Sequence, residues 1–256
     1  MIAWDEKQLH WHLSTRRFGR QARYFDVLDS SNRWLLEHSG EFTLTGATVV
    51  AGHQTAGRGR HARNWSDLPG SSLLCSVLLK VPGQHPAKGF LAMLPAIALA
   101  RAILKHDGGA EVSLKWPNDV LLATRKTAGI LAESAGPDLI VVGIGVNIQA
   151  VPAEEFIYPA TSLSEGSRWH PTREILLAEL LNEWEPLFDM FLNEQFPELR
   201  TAWEALGPVE GTRLKRVEAG EEIVGEYAGI GTHGELRLRL ANGDVRELFS
   251  GDVSFA

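Results

Sequence analysis

Cysteine is nearly missing from this chain: its 256 residues include one, Cys75, inside the apolar run LLCSVLL. That excludes a disulfide framework and a cysteine-built metal site, and it points to a reducing compartment. A long unbroken apolar run is missing too. The most apolar stretch, FLAMLPAIALARAIL, is interrupted by Pro95 and Arg101 and reads as too short for a bilayer span. The opening MIAWDEKQLHWHLSTRR lacks the apolar core of a secretory signal. Positive charge is in deficit, with 25 Lys and Arg against 32 Asp and Glu and a formal net charge of −7. General nucleic-acid binding wants a basic surface that displaces counterions from phosphates, so this balance argues against it. Repeats and low-complexity tracts are also missing. These absences leave a soluble cytoplasmic protein, with neither DNA nor membrane as a partner, and 44% hydrophobic residues can furnish its core.

Hydrophobic periodicity orders the elements. RYFDVL reads as a short strand, and DSSNRWLLEHSG as a helix with Ser30 or Ser31 as N-cap and Gly40 as its stop. ATVVAG and SLLCSVLLKV read as buried strands; AKGFLAMLPAIALARAILKHDGG reads as a helix bent at Pro95 and ended by Gly108 and Gly109. VSLKW, DVLLA, KTAGILAES and LIVVGIGVNI are strand-like runs separated by breaks too short for helical crossovers, so antiparallel pairing is expected. HPTREILLAELLNEWEPLFDMFL returns to helical spacing, with Pro186 expected to kink or divide it, and ELRTAWEAL adds a shorter helix. Past Gly207-Pro208 come short strands, and Asn242-Gly243 suits a type I′ hairpin. The expected architecture is an α+β body over residues 1–206 and a compact β-barrel over residues 207–256.

What the chain does have is a concentrated positive loop, GRGRHARNW, Gly57 to Trp65. It formally satisfies the dinucleotide pattern G-x-G-x-x-A behind a strand, but RNWSDLPGSS cannot open the helix that pattern requires. A solvated turn is the plain alternative. Against it, Arg58, Arg60 and Arg63 with His53 and His61 repel one another, and no acidic residue intervenes before Asp67, so a compensating anion is expected. An anion-binding loop fits better: Gly57 and Gly59 free the backbone, and arginine forks donate in pairs to phosphate or carboxylate. Trp65 offers a flat face. KWPNDV places Lys115 at a strand end with Asn118 and Asp119 at the bend. RKTAGI follows with Lys126 at an expected hairpin tip and with Gly129 where the backbone can be closely approached. GIGVN ends a buried strand at Asn147.

Taken together and in this order, GHQTAGRGRHARNW, KWPNDV, RKTAGILAES and VVGIGVNI resemble the biotin protein ligase family, over about residues 24 to 256. The resemblance implies a class II synthetase-like core with a central mixed sheet, followed by an SH3-like barrel. It implies a two-step reaction: biotin and MgATP give biotinyl-5′-AMP and pyrophosphate, and a lysine of a biotin carboxyl carrier domain then takes the biotinyl group. It also implies roles. Ser30, Ser31, Asn32 and Gln54 resemble the contacts to the biotin head group, and Gly57, Arg58, Gly59 and Arg60 the loop that folds over the intermediate. Trp65, Asn118 and Asn147 with Arg60 resemble the nucleotide contacts, and Lys126 the lysine bridging carboxylate and α-phosphate. Lys115 and Asp119 complete the catalytic set, Asp119 orienting or deprotonating the incoming lysine or assisting a metal whose ligands are not fixed. Ala62 stands where the family loop has a third glycine, which would restrain the loop if that position needs positive φ. The stretch ahead of Arg23 is short for a winged helix-turn-helix, so no repressor function is expected. A face of the sheet could support a homodimer. Two rivals remain: a lipoate ligase of the same fold class, and a sensor that binds biotin or adenylate without transferring it.

Overall fold

The computed structural model describes residues 4–83, 85, 87–149, 159–218 and 221–256. Along the chain lie α1 (Glu6–His12), β1 (Ala22–Phe25), α2 (Ser31–Glu37), β2 (Ala47–Ala51), β3 (Ser72–Lys80), α3 (Met93–His106), β4 (Val112–Lys115), β5 (Asp119–Leu122), β6 (Arg125–Ser134) and β7 (Leu139–Asn147). They are followed by α4 (Leu163–Gly166), α5 (Arg173–Leu192), α6 (Phe196–Glu204), β8 (Arg213–Glu218), β9 (Glu221–Ile230), β10 (Leu236–Arg239), β11 (Val245–Leu248) and β12 (Val253–Phe255).

A seven-stranded sheet runs in the order β1-β2-β3-β7-β6-β5-β4. Only its β1–β2 pair is parallel, so the sheet is mixed, and the β4–β7 runs pair antiparallel as their short connections require. A second, antiparallel sheet of order β11-β10-β9-β8-β12 holds the tail. Side-chain alternation along β3 divides the body into two layers. Leu73, Cys75, Val77 and Leu79 enter the main core with α3 and α5, while Leu78 packs with Leu35 of α2 on the other side. Ser76 shares that second face, and this is what carries it to the α2 N-terminus.

Several expectations need correction. Pro95 does not bend a helix: a 3-10 turn over Lys88–Ala92 precedes α3, and Pro95 falls in the first turn of α3, where a missing N–H costs no intrahelical bond. The stretch Lys88–His106 is long and apolar enough to cross a bilayer, but it lies buried as the core helix beside α5. Pro186 sits inside α5 without dividing it; Trp184, Leu187 and Phe188 around it are fully buried, and that packing holds the helix together. Asn242-Gly243 is not a type I′ turn, since Gly243 has positive φ and Asn242 does not. That φ pattern belongs to Ala123 (φ 45) and Thr124 (φ 67), between β5 and β6, so Lys126 is the second residue of β6 rather than a tip residue. Helix α1 has no counterpart in the sequence reading; Asp5 caps it and Leu9 buries its inner face.

Candidate functional site

A cavity of about 550 Å³ lies between β5, β6 and β7 and the Gly57–Trp65 loop. One end is built at the start of α2. Ser30 is the N-cap, its hydroxyl accepting the Arg33 amide, and Ser31 and Asn32 are buried in the first turn. The Ser31 amide donates to Gln54 Oε1 at 2.6 Å. Ser76 Oγ lies 2.7 Å from Ser31 Oγ and 2.6 Å from Asn32 Oδ1. Asn32 Nδ2 donates to Glu133 Oε2 at 2.8 Å, and Arg58 pairs with Oε1 of the same carboxylate at 2.7 Å. Gly143 makes room for this: a Cβ there would stand 2.2 Å from Asn32 Oδ1.

The Trp65 indole forms the middle. A Cβ on Gly145 would lie 2.5 Å from its ring, and one on Gly129 would lie 3.0 Å from it, so the glycines of β6 and β7 clear the surface on which it rests. The Lys126 ammonium stands 5.9 Å from the ring centroid, within cation–π range.

The far end is ionic. Asp119, buried, shares its carboxylate between Lys126 (2.6 Å from Oδ1) and Lys115 (3.1 Å from Oδ2). Burial pushes the Asp119 carboxyl up, but the two ammoniums outweigh it and hold the group below its ordinary value. Lys115 also donates to the Val253 carbonyl at 3.2 Å, tying this corner to the tail sheet. Asn118 donates to the Ile130 carbonyl at 2.6 Å, and Asn147 donates to the Thr161 carbonyl at 3.1 Å.

The loop closes on itself through Gly59 N–H to Arg63 O (2.7 Å) and Trp65 N–H to Gly57 O (2.9 Å). Arg60 donates to Asn118 Oδ1 at 3.2 Å and to the Gly251 carbonyl at 3.1 Å, and pairs with Asp252 at 3.3 Å. Arg63 pairs with Asp252 as well, and His61 stands 3.7 Å from it. Burial lowers the Arg60 pKa, and the Asp252 charge offsets part of that. The anions that compensate the loop are therefore this chain's own, Glu133 and Asp252, far away in sequence. His61 takes a left-handed conformation in this turn (φ 54).

Ser30, Ser31, Asn32, Gln54, Arg58, Gly59, Arg60, Trp65, Lys115, Asn118, Asp119, Lys126 and Asn147 all line this one cavity. Gly57 does not. A Cβ at Gly57 would stand 2.3 Å from the Trp65 carbonyl oxygen, so this glycine lets the loop cross itself. Sequence reasoning missed Glu133, Ser76 and Asp252 as partners of the site. It also missed Gly143 and Gly145, although their alternation in GIGVN was a usable signal, since alternate residues of a strand share a face. Cys75 touches the cavity but is buried, which pushes its thiol up to about 12 and rules out a thiolate nucleophile.

Residues 24–147 match the model of the biotin/lipoate A/B protein ligase family. The chain is 35% identical to the biotin--[acetyl-CoA-carboxylase] ligase of Mycobacterium tuberculosis, over 97% of this chain and 94% of that protein. It is 29% identical to the bifunctional ligase/repressor BirA of Bacillus subtilis, over 97% of this chain and 78% of that protein. Among solved structures it resembles the biotin protein ligase from Aquifex aeolicus in complex with biotin and ATP, at 28% identity and TM-score 0.76, covering 93% of this chain and 99% of that one. The α+β body has the class II synthetase-like fold of these structures, and the tail sheet is consistent with an SH3-like barrel. The chain belongs to the biotin/lipoate A/B protein ligase family, as an enzyme of its biotin ligase branch.

Proposed function

We propose that this enzyme activates biotin with ATP to biotinyl-5′-AMP and then transfers the biotinyl group to a lysine of a biotin carboxyl carrier domain. In the first step a biotin carboxylate oxygen attacks the α-phosphorus, an O–P bond forms, the α–β bridge bond breaks, and pyrophosphate leaves with the electron pair. In the second the carrier lysine, as a neutral amine, attacks the acyl carbon; a C–N bond forms, the acyl C–O bond breaks so that AMP leaves with that oxygen, and the amine gives up a proton.

The single observation that carries this reading is the convergence of Arg58, Arg60 and Lys126 on one cavity, Arg58 beside Glu133 at its hydrogen-bonding end and Arg60 with Lys126 at its ionic end. Two anions must be brought together and charge then develops on phosphate, so fixed cations at that meeting point supply what the reaction needs. Lys126, held by Asp119, is assigned to the carboxylate and α-phosphate, with Arg60 beside them and Arg58 toward the biotin side. Trp65, Asn118 and Asn147 are assigned to the nucleotide. Ser30, Ser31, Asn32 and Gln54 are assigned to the biotin head group, whose ureido ring both donates and accepts. Asp119 fits an orienting role better than a basic one, because a carboxylate held below its ordinary value by two lysines has little affinity for a proton.

The residues fit magnesium poorly: the two carboxylates that line the cavity, Asp119 and Asp252, are already spent on two lysines and two arginines, and among the described residues no three His, Cys, Asp or Glu come together. Magnesium that arrives with ATP would draw mainly on phosphate oxygens. In this reading residues 1–206 form the catalytic domain and 207–256 a barrel domain that braces the loop through Asp252.

The test is to mix the protein with biotin, MgATP and a carrier domain and to probe with streptavidin. ATP-dependent labelling of the carrier supports the proposal. Biotin binding without labelling would make the chain a sensor, and preferential attachment of lipoate would make it the other kind of ligase.

A further inference from the structure

The hydroxyl and amide protons at the blind end of the cavity can be assigned one by one. Asn32 Nδ2 lies 2.8 Å from Glu133 Oε2 and 3.3 Å from the Leu131 carbonyl oxygen. Glu133 is paired to Arg58 and is a carboxylate, so both partners only accept, and the Asn32 amide nitrogen has to face them. Asn32 Oδ1 is thereby turned to Ser76, 2.6 Å away, and takes the single hydroxyl proton of that serine. Ser76 Oγ is left to accept from Ser31 at 2.7 Å. With its own proton spent in that contact, Ser31 faces the cavity as an acceptor. Gln54 is fixed in the same way: its Oε1 takes the Ser31 amide proton, which leaves the Nε2 donor for the cavity.

We propose that Glu133 is a positioning residue that sets the direction of the chain Glu133–Asn32–Ser76–Ser31, so that the blind end selects a ligand edge carrying an N–H beside a C=O. This rests on the biotin reading and deepens it, because a cyclic urea presents that edge and a dithiolane ring does not. A neutral amide in place of Glu133 would let Asn32 turn over and the whole chain reverse. Burial strengthens the effect: Ser76 is fully buried, so no water replaces a lost partner.

The experiment is calorimetric titration of biotin, without nucleotide, into the wild type, Glu133→Gln, Ser76→Ala and the double variant, with thermal melts to confirm folding. A ureido N-methylated biotin serves as second probe. Each single change is expected to weaken biotin roughly tenfold, the loss of about one buried hydrogen bond. The double variant is expected to be no weaker than the worse single, because both break one chain. The N-methyl penalty is expected to shrink in every variant. Additive losses, or an N-methyl penalty equal in all four proteins, would overturn the proposal. If Glu133→Gln does not fold, the N-methyl penalty in Ser76→Ala decides alone. A wild type that ignores biotin would sink the proposed function itself, whereas a wild type that binds it beside indifferent variants would sink only this inference.

Discussion

Lys126 Nζ stands 2.6 Å from Asp119 Oδ1 while Lys115 Nζ stands 3.1 Å from Oδ2, so one buried carboxylate anchors a lysine of β6 and a lysine of β4 together. Asp119→Asn would leave two ammoniums facing each other without their counter-charge. Stability should fall by about 3 kcal/mol near neutral pH, the low end of the cost of removing one partner of a buried pair because Lys126 keeps some exposure. The sign with pH follows from the depressed Asp119 value. Its stabilisation is complete above the ordinary carboxylate range and is lost as pH falls through the lowered one. Urea melts of both proteins should therefore differ at neutral pH and converge in acid; a gap that widens on acidification would contradict the assignment.

Trp65 rests on two glycines, and this gives a sharper probe than removing the ring. A Cβ at Gly145 would meet the indole at 2.5 Å, so Gly145→Ala should tilt it. If the ring serves the nucleotide, KM for ATP should rise by up to about a hundredfold, what an ångström of misplacement can cost. KM for biotin should stay within about twofold on the same grounds. Steady-state kinetics with each substrate varied in turn would check this.

Asp252 serves Arg60 and Arg63 at once and lies close to His61. Asp252→Ala should release the loop, and amide exchange over residues 58–65 should quicken while that of β3 does not change. Unaltered exchange in the loop would mean that the tail sheet does not brace it.

The demand for positive φ at His61 bears on the Ala62 departure. Ala62→Gly should not slow the escape of biotinyl-AMP from the protein, since the turn already takes a left-handed residue at His61, and it should cost up to about 1 kcal/mol through the unfolded chain. Retention of the intermediate through gel filtration, compared between the two proteins, settles whether glycine is wanted there.

Cys75 offers a control. With its thiol pushed up to about 12 by burial, the native enzyme should resist thiol reagents and keep full activity, and should react only after unfolding in urea.

Most of the body's elements were legible because their signals are local. Alternation in ATVVA and SLLCSVLLK, short breaks between β4 and β7, and a serine cap on α2 each act over a few residues. Of the site residues that the motif order named, all but Gly57 line the cavity. What stayed hidden depends on distance along the chain. Glu133 and Asp252 neutralise the loop from about 75 and about 190 residues away, and no pattern within GRGRHARNW announces them. Pro186 looked like a break because propensity ignores the buried ring of side chains that holds α5 together. The type I′ pair Ala123-Thr124 escaped notice because neither residue favours positive φ; the pairing of β5 with β6 imposes it.

The most direct measurement is formation of the mixed anhydride itself, followed by thin-layer separation after incubation with biotin and ATP labelled at the α-phosphate. The wild type should make labelled biotinyl-AMP only when biotin is present, and Lys126→Gln should make it at least about a hundredfold more slowly, as expected when a fixed cation is removed from developing phosphate charge. An equal rate in the variant, or label that forms without biotin, would contradict the placing of Lys126 at the reacting groups.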